Sequence, residues 1–243
     1  MYPKTLREAK KLFNGIARRV SRTRGATIVV CPPLPYLEEL KRTYRGTKIR
    51  FGAQDVSLHE KEGAHTGEVS ASMLKNLGAQ YAIVGHSERR AMGETDDIVA
   101  AKVRAALKAG LVPLICIGER ERDREGKYFS WLERELAASL GAVSRAHARR
   151  LVIAYEPIWA IGKTARGAMK PQEVHEMIIF IKKVLSKHYG RKLGMRVPIL
   201  YGGSVEPGNV LGLMRDGAAD GFLVGHASIA PRDFAAIVTG EGI

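Results

Sequence analysis

Apolar positions follow two alternating patterns along the chain. Residues 6–20 place apolar side chains every three or four positions, which predicts an amphipathic helix, and similar segments recur. Between them lie short continuous apolar runs of the length and composition of buried strands. The predicted strands are 26–31, 48–54, 81–85, 112–117, 151–155, 197–201 and 221–224; the predicted helices are 6–20, 36–43, 67–77, 95–109, 129–140, 171–188, 207–215 and 231–238. Strands that alternate with helices favour an α/β fold with a parallel sheet.

Polar residues and glycines collect directly after the predicted strands. His86, Glu156 and the pair Gly202-Gly203 each follow an apolar run, and Gly225-His226 ends another. Carboxyl ends of parallel strands meet on one face of a barrel, where active sites form. A carboxylate such as Glu156, beneath a segment that could fold over it and exclude water, suits a general base. The alternative is an ordinary glutamate at the end of a strand.

Length and composition favour one domain over residues 1–243, the usual size of an eight-stranded α/β barrel. Cys31 and Cys116 lie in apolar runs without a close-spaced motif, so we expect reduced core residues and neither a disulfide nor a metal site. No run of 18 apolar residues occurs and the first residues are largely polar, which predicts neither a membrane span nor a signal peptide. These features indicate a cytoplasmic protein.

The formal net charge of +14 raises the possibility of nucleic-acid binding. The basic residues, however, are scattered over the polar sides of predicted helices, and no nucleic-acid motif accompanies them. A basic solvated surface is the favoured interpretation, and we expect no nucleic-acid partner.

Several long motifs, in order, resemble the triosephosphate isomerase family across nearly the whole chain. They are Val84 to Arg90, Ala154 to Ala165, Tyr201 to Val205 and Gly221 to Ser228, supported by Gly52 to Gln54 and Gly63 to Glu68. The resemblance implies a (β/α)₈ TIM barrel. It also implies an isomerase that interconverts dihydroxyacetone phosphate and glyceraldehyde 3-phosphate through an enediolate, without a cofactor or metal.

The same resemblance implies roles for individual residues. Glu156 would be the base, and His86 the electrophile, held as a neutral imidazole as in the known example of this chemistry. Glu94 matches a catalytic-site glutamate of the family; the alternative is an acidic residue that favours the start of helix 95–109.

Substrate binding and assembly are also implied by the family match. The long loop 55–66 resembles the arm by which one family subunit reaches its partner, with Thr66 at the tip, and so implies a homodimer or a higher homo-oligomer. At position 226 the family usually has a glycine, and His226 either restricts the backbone or adds a donor. The residues that match the family's phosphate contacts are Gly162, Gly203, Ser204 and Gly225.

The main departure from the family is the number of strands. Eight helices are predicted but only seven strands, and the chain opens on a helix, so we expect an eighth strand upstream of residue 1. The family resemblance implies that this strand ends in Asn-Trp-Lys. Without the lysine of that motif, activity of these 243 residues alone is expected to be weak or absent. The alternative is a barrel of the same family that binds phosphate or assembles but does not catalyse.

Overall fold

A computed structural model describes residues 3–61, 63–141, 143–163 and 168–240. These residues form seven strands, which alternate with helices. The strands are β1 (Ile28–Val30), β2 (Ile49–Ala53), β3 (Tyr81–Val84), β4 (Val112–Ile117), β5 (Val152–Tyr155), β6 (Ile199–Tyr201) and β7 (Gly221–Phe222). The helices are α1 (Leu6–Val20), α2 (Leu34–Thr43), α3 (Ala71–Asn76), α4 (Ser87–Ala91), α5 (Asp96–Lys108), α6 (Lys127–Leu140), α7 (Arg145–Ala148), α8 (Pro171–Tyr189), α9 (Arg191–Gly194), α10 (Val210–Arg215) and α11 (Pro231–Thr239).

All seven strands belong to one parallel sheet in which each strand pairs with the next along the chain. Ile83 lies opposite Leu114 in the β3–β4 pair, and Ala154 lies opposite Leu200 in the β5–β6 pair. The prediction of a parallel α/β sheet in chain order is confirmed. Because all strands run the same way, their carboxyl ends share one edge of the sheet.

The core lies between the sheet and the helices that cover it. Strand β4 is buried along almost its whole length, as expected for a parallel strand covered on both faces. Helix α8 contributes Met177, Ile181 and Leu185, none of which is exposed. Fully burying one such side chain stabilises the fold by about 1.5–3 kcal/mol.

Local capping explains where several helices begin. Thr5, Ser70 and Thr95 each precede a helix, and each side-chain oxygen accepts a hydrogen bond from a backbone N–H of the first turn. Ser70 starts α3 at Ala71, whereas the apolar pattern predicted a helix from residue 67. Gly67 has φ +86°, a left-handed conformation outside the α-helical region.

Other elements differ from the prediction in length. Strand β7 ends at Phe222, two residues before the predicted end, and the short helices α4, α7 and α9 were not predicted. These helices have four or five residues each, too few to show a helical period in the sequence.

Cys31 and Cys116 are both free thiols, and Cys116 is fully buried. Within the described ranges, no helix has both the length and the apolar character needed to cross a membrane.

Candidate active site

The ends of β3 and β5 bring His86 and Glu156 together, as the strand-end pattern predicted. His86 Nε2 lies 3.0 Å from Glu156 Oε1. The Glu156 side chain is buried, with 3% of its surface exposed, whereas that of His86 retains 28%. A buried carboxylate thus contacts a partly open imidazole.

Helix α4 fixes the orientation of both side chains at its first turn. The backbone N–H of Ser87 donates to Glu156 Oε2 at 3.0 Å, and that of Glu88 donates to His86 Nδ1 at 3.2 Å. Because Nδ1 accepts a hydrogen bond, the neutral ring carries its proton on Nε2 and donates it to Glu156.

The pKa of His86 depends on its carboxylate neighbours. Burial lowers it, but the hydrogen bond and the negative charge of Glu156, together with the charge of Glu88, outweigh burial and raise the pKa above its usual value. The ring therefore stays neutral only at a pH above this raised value, or once a bound molecule separates it from Glu156.

Replacing Glu156 by glutamine is therefore expected to lower the pKa of His86, because the negative partner is lost while burial remains. Titration of the imidazole by NMR measures this shift. An unchanged His86 titration in the variant would mean that the two side chains do not interact in solution.

Glycines on both sides allow the neighbouring strands to approach Glu156. A Cβ atom at Gly118 would lie 1.7 Å from the carbonyl oxygen of Glu156, and one at Gly202 would lie 2.9 Å from its Cγ. The backbone N–H of Glu156 donates to the carbonyl of Ile117 at 2.8 Å. Gly118 and Gly202 are therefore required for the position of the carboxylate.

The buried Glu135 of α6 lies behind Gly118 and accepts a hydrogen bond from the backbone N–H of Gly118 at 2.8 Å. Burial raises the pKa of Glu135 to about 7, although the charge of Arg90 and this hydrogen bond act in the opposite direction. The pKa of this carboxyl group is higher in the folded protein than in the unfolded chain. Its contribution to stability is therefore full at a pH below the pKa of the unfolded state, and it is lost as the pH rises through about 7.

Glu135→Gln is expected to remove this pH dependence, because the amide stays neutral. Relative to the parent, the variant should gain unfolding free energy between pH 4.5 and 7, by up to about 3 kcal/mol. Urea unfolding across this pH range measures the difference, with the exposed Glu38→Gln as control. Parallel pH profiles for parent and variant would exclude ionisation of Glu135 in this range.

The segment after Glu156 is anchored at its start by a polar cluster that sequence reasoning missed. Glu119 Oε1 accepts hydrogen bonds from Tyr155 Oη at 2.8 Å and Trp159 Nε1 at 2.9 Å. The Arg122 guanidinium donates to Glu119 at 3.1 Å and lies 5.0 and 5.4 Å from the ring centroids of Tyr128 and Trp159. The only sequence signal was Glu119 after a predicted strand, which did not identify its partners.

Ser204 connects the end of β6 to the same segment. Its hydroxyl donates to the carbonyls of Ala160 at 3.2 Å and Lys163 at 2.6 Å. Gly162 is exposed with φ +70°, and Gly203 is half-buried. Thr164 and Ala165, which belong to the matching motif, lie outside the described residues.

Gly225 and His226 begin the turn after β7. His226 is exposed and opens a 3₁₀ turn that ends at Ile229. Gly225 has φ −86° and ψ −98°, and its carbonyl accepts from the backbone N–H of Ser228 at 3.0 Å.

Glu94 belongs to a group of charges in which Glu94 and Lys102 are buried and Arg89 and Asp55 are partly exposed. Its Oε1 accepts from Arg89 Nε at 2.8 Å and from Lys102 Nζ at 2.5 Å, and Lys102 also donates to Asp55 at 2.6 Å. The other oxygen, Oε2, is buried without a hydrogen-bond partner among the described residues. Glu94 precedes the N-cap Thr95, so both of its anticipated roles are compatible with this position.

The loop 55–66 extends from the end of β2, and Thr66 near its end is exposed. His59 and His65 stack within this loop, with ring centroids 3.5 Å apart. In the part of the chain that the structure describes, no group of three His, Cys, Asp or Glu side chains is placed to hold a metal ion.

Comparison with known proteins agrees with this geometry. The family model described as triosephosphate isomerase matches residues 1–241. Triosephosphate isomerase of Thermus thermophilus is 45% identical over 97% of this chain and 93% of its own length, and that of Citrifermentans bemidjiense is 46% identical with the same coverage. The crystal structure of triosephosphate isomerase from Bartonella henselae superposes with a TM-score of 0.86 and 35% identity, covering 99% of this chain and 95% of that one. The chain therefore belongs to the triosephosphate isomerase family.

Proposed function

We propose that the protein interconverts dihydroxyacetone phosphate and glyceraldehyde 3-phosphate. The observation that carries the proposal is the buried Glu156 carboxylate, 3.0 Å from His86 Nε2 at the carboxyl ends of parallel strands. The named relatives support this substrate class.

The geometry supports a proton transfer between two adjacent carbons. Glu156 removes a proton from the hydroxyl-bearing carbon next to the substrate carbonyl and returns it to the former carbonyl carbon. His86 Nε2–H donates to the oxygen on which negative charge develops, and the imidazole passes a proton between the two oxygens. A substrate placed between the two side chains replaces their direct contact. The backbone N–H of Ser87 holds Glu156 Oε2, which leaves Oε1 to act as the base.

The phosphate is assigned to the backbone of the glycine-rich strand ends on the same edge of the sheet. The backbone N–H groups of Gly162, Gly203 and Gly225 are assigned to the phosphate because such groups suit an anion, and the Ser204 hydroxyl holds the segment that contains Gly162. His226 is assigned to the rim of this subsite, where an exposed imidazole can add a donor.

Glu94 is proposed as an accessory catalytic group. Its buried Oε2 has no partner in the described ranges, and burying a carboxylate oxygen unpaired is unfavourable. A positive group that lies at this oxygen when substrate binds would relieve that penalty.

The decisive test incubates the purified protein with dihydroxyacetone phosphate in D₂O. Isomerisation gives glyceraldehyde 3-phosphate with deuterium on the former carbonyl carbon, because the base exchanges the abstracted proton with solvent before delivering it there, and NMR detects this label directly. A protein that binds the substrate, as measured by calorimetry, but neither exchanges nor isomerises would be the non-catalytic phosphate-binding barrel instead.

A homodimer in the cytoplasm is proposed for the native protein. The exposed Thr66 and the loop 55–66 are assigned to the contact with the partner subunit. Light scattering measures the mass in solution, and Thr66→Arg should shift the protein towards monomer. Fractionation of cells addresses the compartment.

A further inference from the structure

A buried carboxyl group and a guanidinium group face each other behind Gly118, next to the candidate site. Glu135 of α6 has 5% of its side chain exposed, and Arg90 of α4 has 12%. Arg90 Nε lies 3.5 Å from Glu135 Oε1, while the other oxygen, Oε2, accepts from the backbone N–H of Gly118 at 2.8 Å. The proposed mechanism uses neither side chain.

Arg90 holds the ends of two neighbouring strands at the same time. Its Nε donates to the carbonyl of Gly85 at 2.9 Å, and its Nη2 approaches the carbonyl of Cys116 at 3.4 Å. Nη2 also donates to Ser139 Oγ of α6 at 2.9 Å, and Nη1 donates to Asp96 at 2.6 Å. The guanidinium thus links β3, β4, α5 and α6.

Arg90 and Glu135 form hydrogen bonds with the backbone next to His86 and Glu156. Gly85 immediately precedes His86, and Gly118 is so close to Glu156 that a Cβ atom would overlap its carbonyl oxygen. A small hollow beside Glu156 is lined by Gly85, Arg90 and Gly118. A displacement of the Gly85 or Gly118 backbone therefore changes the distance between imidazole and carboxylate.

We propose that Glu135 is a positioning residue of the isomerase reaction, which accepts the Gly118 N–H and faces Arg90 so that His86 and Glu156 keep their working separation. The inference rests on the proposed function. What it requires at position 135 is a hydrogen-bond acceptor; a negative charge is not required. The raised pKa of Glu135, which burial causes, agrees with this requirement, because a protonated carboxyl still accepts through its carbonyl oxygen.

Two substitutions at position 135 distinguish the loss of the hydrogen-bond acceptor from a change in side-chain size or charge. Glu135→Gln keeps an acceptor oxygen at similar size, and its kcat should remain within about threefold of the parent. Glu135→Leu fills similar space but leaves the Gly118 N–H without a partner, and kcat should fall by about 10²-fold, the loss that a misplacement of about 1 Å can produce. KM should change much less, because the assigned phosphate contacts are elsewhere.

A control on the same helix separates catalysis from stability. Leu132→Val shortens a fully buried apolar side chain of α6 that can neither donate nor accept a hydrogen bond, so it should lower the melting temperature without changing kcat. If Leu132→Val reduces kcat as much as Glu135→Leu, the loss reflects general loosening of α6 and the inference is overturned.

The titration of His86 provides a readout that does not depend on turnover. Glu135→Leu should lower the pKa of His86 towards its value in Glu156→Gln, because the imidazole and the carboxylate move apart, whereas Glu135→Gln should leave it unchanged. If the parent protein has no isomerase activity, the proposed function is refuted. The titration of His86 in the Glu135 variants then still tests whether Glu135 positions the imidazole and the carboxylate. Parental kcat and a parental His86 titration in the leucine variant would overturn the inference alone.

Discussion

Glu156→Gln is expected to lower kcat by about 10²–10⁴-fold, the usual contribution of a positioned general base. The amide has the shape of the carboxylate, and its single oxygen can still accept the hydrogen bond of Ser87 or that of His86, but it cannot take up a proton. KM should change little, because the assigned phosphate contacts lie elsewhere. The deuterium-exchange assay measures the same loss, since exchange requires the abstracted proton.

Glu176→Gln, the same change on the exposed side of α8, is the matched control and should keep the parental rate. Retention of more than a tenth of kcat by Glu156→Gln would assign the proton transfer to another group.

Gly118→Ala is expected to lower both activity and stability. The new methyl carbon would lie 1.7 Å from the carbonyl oxygen of Glu156, so the end of β4 and residue 156 must move apart. This breaks the 2.8 Å hydrogen bond from Glu156 N–H to Ile117 and shifts the carboxylate. We expect a loss of at least about 1–3 kcal/mol in unfolding free energy and of about 10²-fold in kcat.

Gly208→Ala is the matched control, because no heavy atom lies within 4 Å of a Cβ atom built there. Its unfolding free energy should stay within about 0.5 kcal/mol of the parent. Thermal denaturation and steady-state kinetics of the two variants measure the difference. Equal behaviour of the two alanine variants would show that the close approach at Gly118 is absent in solution.

The apolar pattern predicted the features that depend on burial and on chain direction. Each of the seven predicted strands overlaps an observed strand, and His86 and Glu156 meet because parallel strands end at a common edge. The spacing of apolar residues indicates which positions face the core, and a place at the carboxyl end of a strand indicates which residues face the site. Both quantities are local properties of the sequence.

Partners that are distant in sequence could not be predicted in this way. Lys102 occupies the middle of α5 between Val99 and Val103, yet it is buried because Asp55, 47 residues away, and Glu94 meet its ammonium group. Nothing in the helical period identifies such a partner, since the pairing depends on how a loop after β2 packs against α5.

The same limit applies to Glu135 and Arg122. Glu135 occupies a buried position of α6, where an apolar residue would satisfy the helical pattern equally well. Its relation to Gly118, 17 residues away, follows from the packing of α6 behind β4. Arg122 likewise is one of several charged residues after a strand, and its contacts with Tyr128 and Trp159 become visible only in the structure.

The strand order has a consequence for how the chain folds during synthesis. Because each strand pairs with the one made just before it, the growing sheet needs no contact with sequence still inside the ribosome. Such a sheet can lengthen by one strand and one covering helix at a time, so the loops closed at each step remain short. At every stage, however, the newest strand presents an unpaired edge that can associate with other chains until its neighbour emerges. Slow translation between the end of one strand and the start of the next would prolong that exposure, even where the intervening helix already covers the face of the sheet.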